Sequence, residues 1–295
     1  MHFASDINRP PYEAASAYLQ VTKGCSHGSK GGCDFCTFYK NCKFTPSPME
    51  EVEEDVRQLP LYFGRTDRIF LQGADPFVLS YNRLVKIAEL IHRVLPWVQS
   101  IGGYARIDNL KNKTVEELRH LHELGYSYFY FGNESGDDAL LTRMHKGYES
   151  EEVVRQLRKL DEAGMPYIMN FLGGLGGRGY GLGHARRTAD TINQLHPAMV
   201  YASELTLFSN TPLSRDVEKG LFVEATEEER FEELGELIRQ IKIPTIFKAE
   251  HVTLPVPIRG RLPEDRERML AQTRQLAEDA RAGKLDGFRQ TVSGL

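Results

Sequence analysis

Short runs of β-branched and aromatic residues alternate with amphipathic stretches over the first two-thirds of the chain, the pattern of repeated βα units around a parallel sheet. Six strands are predicted, at 17–23, 68–72, 99–104, 127–131, 166–172 and 200–207. Each gives way to Gly, Asn, Ser or charged residues, which places loops at the strand ends. Between the strands, segments 48–58, 83–94, 114–124, 150–163 and 184–195 carry apolar residues at spacings of three and four, as helices covering a sheet do. Thr114 with Glu117 makes a capping-box signature, and Ser150 stands where the next helix needs an N-cap. Gly125 and Gly164 suit the left-handed residue that closes a helix.

Beyond Pro212 the pattern changes to an acidic helix at 226–241, a short apolar strand at 244–248, a Pro-rich stretch and a charged helix at 263–282. With 295 residues and 41% apolar content, one large core is attainable. These observations predict an α/β fold, a partial (βα)6 TIM-like barrel of parallel strands over 1–215, with a C-terminal α/β extension at 216–295 packed on it. No internal repeat and no Ser/Gly-rich linker divides the chain further.

A formal charge of −4 with dispersed basic residues gives no electrostatic footprint of a nucleic-acid binder, which leaves a small molecule as the expected substrate. No apolar run approaches the roughly 20 residues that cross a bilayer, and the first residues lack the basic start and apolar core of a secretory signal. A cytoplasmic protein without a membrane partner is expected. All four cysteines fall between Cys25 and Cys42, whereas disulfide frameworks distribute their pairs along a chain. Clustered thiols in a reducing compartment point to a metal centre.

Cys25 follows the first predicted strand directly, at a strand C-terminal end where parallel α/β folds build their sites. The run Cys25-Ser-His-Gly-Ser-Lys-Gly-Gly-Cys33-Asp-Phe-Cys36 is rich in glycine, whose permissive backbone lets a loop wrap a cluster and turn N–H groups toward its sulfurs. Three thiolates on a [4Fe–4S] cubane leave one iron without a protein ligand, open to the amino and carboxylate groups of S-adenosylmethionine (SAM). A zinc site on Cys25, Cys33, Cys36 and Cys42 is the alternative, because Cys-x-x-Cys is also a zinc-knuckle element. It would make the chain a zinc- or cluster-containing binding protein on a degenerate barrel.

The stretches Arg9-Pro-Pro-Tyr-Glu-Ala, Val21-Thr-Lys-Gly-Cys25-Ser-His and Cys33-Asp-Phe-Cys36-Thr-Phe-Tyr-Lys40 resemble a group of single-cluster radical SAM proteins. Similar pieces follow in order. They are Leu71-Gln-Gly73-Ala74-Asp75-Pro76, Phe131-Gly-Asn-Glu134-Ser135-Gly-Asp-Asp, Met144-His-Lys146-Gly147, Leu172-Gly-Gly-Leu-Gly-Gly177, Thr211-Pro-Leu213 and Arg259-Gly-Arg-Leu-Pro-Glu-Asp265.

The resemblance implies an enzyme whose cluster, held by Cys25, Cys33 and Cys36 in the loop 24–42, reductively cleaves SAM to a 5′-deoxyadenosyl radical that takes hydrogen from a substrate. It implies that Phe35 packs near the adenine and that Gly73, Ala74 and Asp75 meet the methionine amino group. It also implies that Glu134 takes the ribose hydroxyls, that Ser135 approaches the SAM carboxylate, and that Gly173 and Gly174 lay backbone against adenine. An electron donor such as flavodoxin or ferredoxin follows. This chain departs from the group in the seven residues between its first two cysteines and in Asn133, where an aliphatic residue is common.

Four other features carry expectations. His27 is read as a solvent-facing or loop-bracing residue, since a fourth ligand would shut SAM out. Cys42 is read as a small buried hydrophobe. Tyr104, Arg106 and Glu204 either line a substrate pocket or are ordinarily packed. The acidic run 224–236 is read as a solvated helix face.

Overall fold

A computed structural model describes residues 1–4, 8–39 and 42–292. Lys40 and the neighbouring residue 41, part of the predicted loop 24–42, lie outside the described residues. In chain order the elements are β1 (Ala17–Gln20), β2 (Thr22–Lys23), β3 (Thr45–Pro46), α1 (Met49–Phe63), β4 (Arg68–Gln72), α2 (Tyr81–Val94), β5 (Ser100–Ala105), α3 (Val115–Glu123), β6 (Phe129–Glu134), α4 (Asp138–Arg143) and α5 (Ser150–Ala163). There follow β7 (Tyr167–Gly173), α6 (Gly181–Ile192), β8 (Met199–Glu204), α7 (Pro212–Glu218), α8 (Glu227–Gln240), β9 (Thr245–Ala249), β10 (Ile258–Leu262), α9 (Arg266–Arg281) and α10 (Phe288–Thr291).

The fold is α/β with a mostly parallel sheet of eight strands, in the order β1-β4-β5-β6-β7-β8-β9-β10. β1 pairs parallel with β4, β4 with β5, β7 with β8 and β8 with β9, whereas β10 runs antiparallel to β9. No described helix is long and apolar enough to cross a membrane. Contacts gather the chain into two compact units, one of residues 1–32, 38–132 and 155–167, the other of 33–37, 133–154 and 168–295.

In the first unit, the predicted strand 17–23 divides. Its first four residues join the main sheet, and Thr22–Lys23 turns away to pair antiparallel with β3. Val21 stands at the switch, its N–H on Gln72 and its carbonyl accepting from Ser47. β6 starts two residues later than the pattern predicts. Tyr128 takes φ 54° and gives its N–H to Pro166, which interrupts the strand after a single bridge at Tyr126. α3 begins with the expected box, Glu117 N–H on Thr114 Oγ1 at 3.2 Å and Thr114 N–H on Glu117 Oε2 at 3.0 Å. Behind the strands, Val52, Val56, Leu84, Ile87, Leu118 and Leu121 are fully buried, which matches the spacing that predicted α1, α2 and α3.

In the second unit Ser150 is the first residue of α5 and not its cap. The Val153 N–H goes to the Glu149 carbonyl, while the Ser150 N–H is taken by Asp138 Oδ1 at 2.6 Å. Thr211 caps α7 through Ser214, with Pro212 in the first turn where its missing N–H costs nothing. The acidic run 224–236 is not a solvated face. Arg230, Glu233 and Glu236 of α8 are buried at 1%, 0% and 4% exposure, since α8 packs against both α6 and α9.

Candidate functional site

The first unit carries Cys25 on the loop leaving β2. Gly24 precedes it at φ 73°, and a Cβ there would lie 2.5 Å from the Cys42 carbonyl oxygen, so only glycine lets the two ends of the loop meet. The Cys25 carbonyl accepts from Gly28, and the His27 carbonyl accepts from Lys30 and Gly32. His27 is buried, so it is not solvent-facing. Cys42 is partly exposed, not the buried hydrophobe expected, because residues 43–46 run along the surface.

Gly73 leaves β4 at φ 124° beside Thr22, and the Ala74 N–H donates to the Gly24 carbonyl at 3.3 Å. Asp75 is fully buried and accepts from Ser26 and Asn109. Burial pushes its carboxyl up, against the pull of those partners and of Arg106. Burial also pushes the Cys25 thiol up, with the Asp75 carboxylate next in effect. Of the suggested pocket residues, Arg106 is buried with Nε on Asp108 at 3.0 Å, and Tyr104 packs edge-on to Phe70 and Tyr130.

The second unit carries Cys33, Phe35 and Cys36. The Cys36 N–H donates to the Cys33 carbonyl at 3.2 Å, which makes a tight turn of the Cys-x-x-Cys segment. Asp34 binds this turn to two other segments of the resemblance: its N–H donates to the Met144 carbonyl, its own carbonyl accepts from Leu213, and Oδ1 pairs with His145 at 2.8 Å. Phe35 packs against an apolar cluster of Leu140, Met144, Leu175, Leu205, Leu213 and Phe222. Lys146 lies 5.9 Å from the Phe35 ring centre and forms an ion pair with Glu134. Phe35, Glu134 and Lys146 are thus brought together.

Glu134 takes φ 54°, a conformation that costs a side-chain-bearing residue about 1–3 kcal/mol and concentrates at functional sites. Ser135 is fully buried, its Oγ accepting the Asp137 N–H at 2.9 Å. Asn133 is fully buried with neither amide atom partnered.

The Gly173–Gly174 turn faces a buried charge network that the sequence did not disclose. The Gly174 N–H donates to Glu233 Oε2 at 2.7 Å, and Glu233 Oε1 lies 2.6 Å from Nδ1 of the fully buried His184. Arg230 Nη1 donates to Glu204 Oε2 at 3.4 Å, so Glu204 is a packed, buried hydrogen-bond partner. Gly174 is at φ 73°, and a Cβ there would come 2.1 Å from Arg230 Nη1. The i, i+3 pair Arg230 and Glu233 in an acidic helix was the available signal, hidden by its charged neighbours.

All four thiols are free of disulfides and partly exposed. Among the described residues no three His, Cys, Asp or Glu side chains converge as ligands of a single metal ion. A cubane does not ask for such convergence, because its thiolates bind separate corner irons. Unbridged, accessible thiols on a hydrogen-bonded glycine loop have the donor chemistry that an iron–sulfur cluster requires.

The chain is 25% identical over 185 residues to the heme chaperone HemW of Bacillus subtilis (strain 168), an alignment covering 61% of this chain and 48% of that relative, so the chain spans about half of it. In three dimensions it is similar to methylornithine synthase, with TM-score 0.56 and 15% identity over 90% of this chain and 71% of that one. It is likewise similar to coproporphyrinogen III oxidase (HemN) from Escherichia coli, a radical SAM enzyme, with TM-score 0.56 and 15% identity over 76% and 51% of the two chains. These likenesses agree with a TIM-barrel-like fold. The family model of the radical SAM superfamily matches residues 19–192, from inside β1 to the last residue of α6, and by that match the chain belongs to the radical SAM superfamily.

Proposed function

We propose that this chain is a radical SAM enzyme acting on a small-molecule substrate. Cys25, Cys33 and Cys36 would hold a [4Fe–4S] cluster, which when bound would supply the one electron that cleaves SAM to methionine and a hydrogen-abstracting 5′-deoxyadenosyl radical. The chain's own residues bind and orient. Gly73 and Ala74 lie along the methionine moiety, with Asp75 completing their loop. Glu134 has one carboxylate oxygen paired with Lys146 and gives the other to the ribose hydroxyls. Phe35 and the backbone at Gly173 and Gly174 flank the adenine, and Ser135 approaches the SAM carboxylate from the end of β6. Residues 1–215 form the barrel part and 216–295 its extension. A cytoplasmic reductant such as flavodoxin or ferredoxin supplies the electron.

The observation that carries this reading is the set of unbridged thiols in a chain of this superfamily, with Phe35, which lies between Cys33 and Cys36 in sequence, under the Lys146 that pairs with Glu134. Anaerobically reconstituted, reduced protein is expected to bind iron and sulfide and to release 5′-deoxyadenosine from SAM. Protein that retains zinc without sulfide, or that binds a cluster and never cleaves SAM, overturns it.

A further inference from the structure

Ser26, the residue after Cys25, directs two donors at one carboxylate. Its N–H donates to Asp75 Oδ1 at 3.1 Å, and its hydroxyl donates to Oδ2. Asn109 Nδ2 donates to the same Oδ2 at 3.3 Å. That amide is held in one orientation, because its Oδ1 accepts the Arg106 N–H at 2.9 Å. Further along, Lys113 Nζ donates to the Asn109 carbonyl at 3.0 Å and to the Phe77 carbonyl at 2.8 Å. The loop after β4 and the turn after β5 are thereby fixed to each other. Asp75, Asn109 and Lys113 are 0%, 5% and 4% exposed, so the frame is buried beneath the partly exposed Ser26.

A carboxylate that binds the amino group of a ligand must face that ligand. Asp75 is covered by protein atoms and already accepts three hydrogen bonds, against the roughly four that a carboxylate takes. Its reach is to Ser26, far away in sequence, and not to its own turn. Buried hydrogen-bonded networks of this kind fix geometry because each member restrains the next.

We propose that Asp75 is a positioning residue for the cluster loop: with Asn109 and Lys113 it fixes the backbone at Ser26 and so the direction in which Cys25 offers its sulfur. The inference rests on Cys25 being a cluster ligand. It separates the Asp75 side chain from binding of the methionine amino group, which falls to the backbone of Gly73 and Ala74.

The test uses full-length protein reconstituted anaerobically, as wild type, Asp75→Asn, Ser26→Ala and the double variant. Three quantities are read: the rate of iron release to a chelator, the electron paramagnetic resonance of the reduced cluster, and SAM affinity of cluster-loaded protein. Residues that orient a metal ligand typically alter metal affinity about 10- to 100-fold, so Asp75→Asn is expected to speed iron release by that factor and to shift the resonance. SAM affinity should stay within about threefold, and the double variant should be no worse than Asp75→Asn alone, since both act through the same bonds. Should Asp75→Asn fail to fold, Ser26→Ala at its partly exposed site is still expected to show faster release. Normal iron release with weakened SAM binding overturns the inference in favour of direct contact, and unchanged values of all three overturn it outright. Wild-type protein that takes up no iron and sulfide overturns both this inference and the reading of the cysteines beneath it.

Discussion

Glu204 ends β8 with its side chain buried between Arg230 and the Gly173 backbone. Burial pushes its carboxyl from 4.5 up to about 8; Arg230 pulls it down and Glu233 pushes it further up. In the unfolded chain this group has lost its proton well below neutrality, whereas the folded protein keeps it to about pH 8. The folded state therefore binds more protons across that window, so its stability falls as pH rises from about 4.5 to about 8 and levels off above. The window spans about three and a half pH units at about 1.4 kcal/mol each, a loss on the order of 5 kcal/mol. Urea unfolding of the metal-free protein at a series of pH values, followed by far-ultraviolet circular dichroism, measures it. Glu204→Gln keeps the shape and removes this titration, so its stability should fall less steeply than that of the wild type over the same range. Equal slopes for the two proteins, or a wild-type stability that rises through the window, would refute the reasoning.

Gly174→Ala adds a Cβ at φ 73° and 2.1 Å from Arg230 Nη1; the strained backbone and displaced guanidinium should cost about 1–3 kcal/mol in the same assay, and no loss of stability would show that the turn gives way freely. Glu134→Gln removes the charge paired with Lys146 and, on the proposed role, turns one of the oxygens available to the ribose into a donor. It should weaken SAM binding about tenfold while iron content holds, as two lost charge-assisted hydrogen bonds imply; unchanged affinity would make Glu134 a partner of Lys146 alone. Thr114→Ala deletes half of the α3 capping box and should lower stability by about 1 kcal/mol, read as a shift of the urea midpoint without change of slope.

The repeating βα pattern was legible because buried strands and amphipathic helices impose different periods on the chain. β4 coincides with the predicted 68–72, and α5 with 150–163. Elements whose existence depends on a partner were not legible. β10 is an edge strand whose Arg259 and Arg261 point outward, so its sequence reads as coil until β9 is placed beside it. α1 continues past the predicted end at 58 through Pro60, since Leu59 is held in the core.

At the site, motif residues were legible one by one, and their partners were not. Phe35, Glu134 and Lys146 stand in separate quoted motifs, yet nothing in the string says that Lys146 lies over Phe35 and pairs with Glu134. Ser26, Asn109 and Lys113 are polar residues of ordinary loops, and only the folded chain reveals that they converge on or support Asp75. The buried charges of α8 were misread because local charge density resembles a solvated face, and burial is decided by α6 and α9 on either side.

The central claim is that three thiolates share a cubane whose fourth iron is left for SAM. Electron paramagnetic resonance of the reduced, reconstituted protein, with SAM labelled by nitrogen-15 in its amino group, tests this directly alongside iron and sulfide analysis. The account predicts about four irons and four sulfides per chain, a spectrum that changes when SAM is added, and nitrogen-15 coupling to the cluster, with all of these lost in Cys25→Ala, Cys33→Ala and Cys36→Ala. A cluster whose spectrum ignores SAM, or one that survives removal of any of these cysteines unchanged, would contradict it.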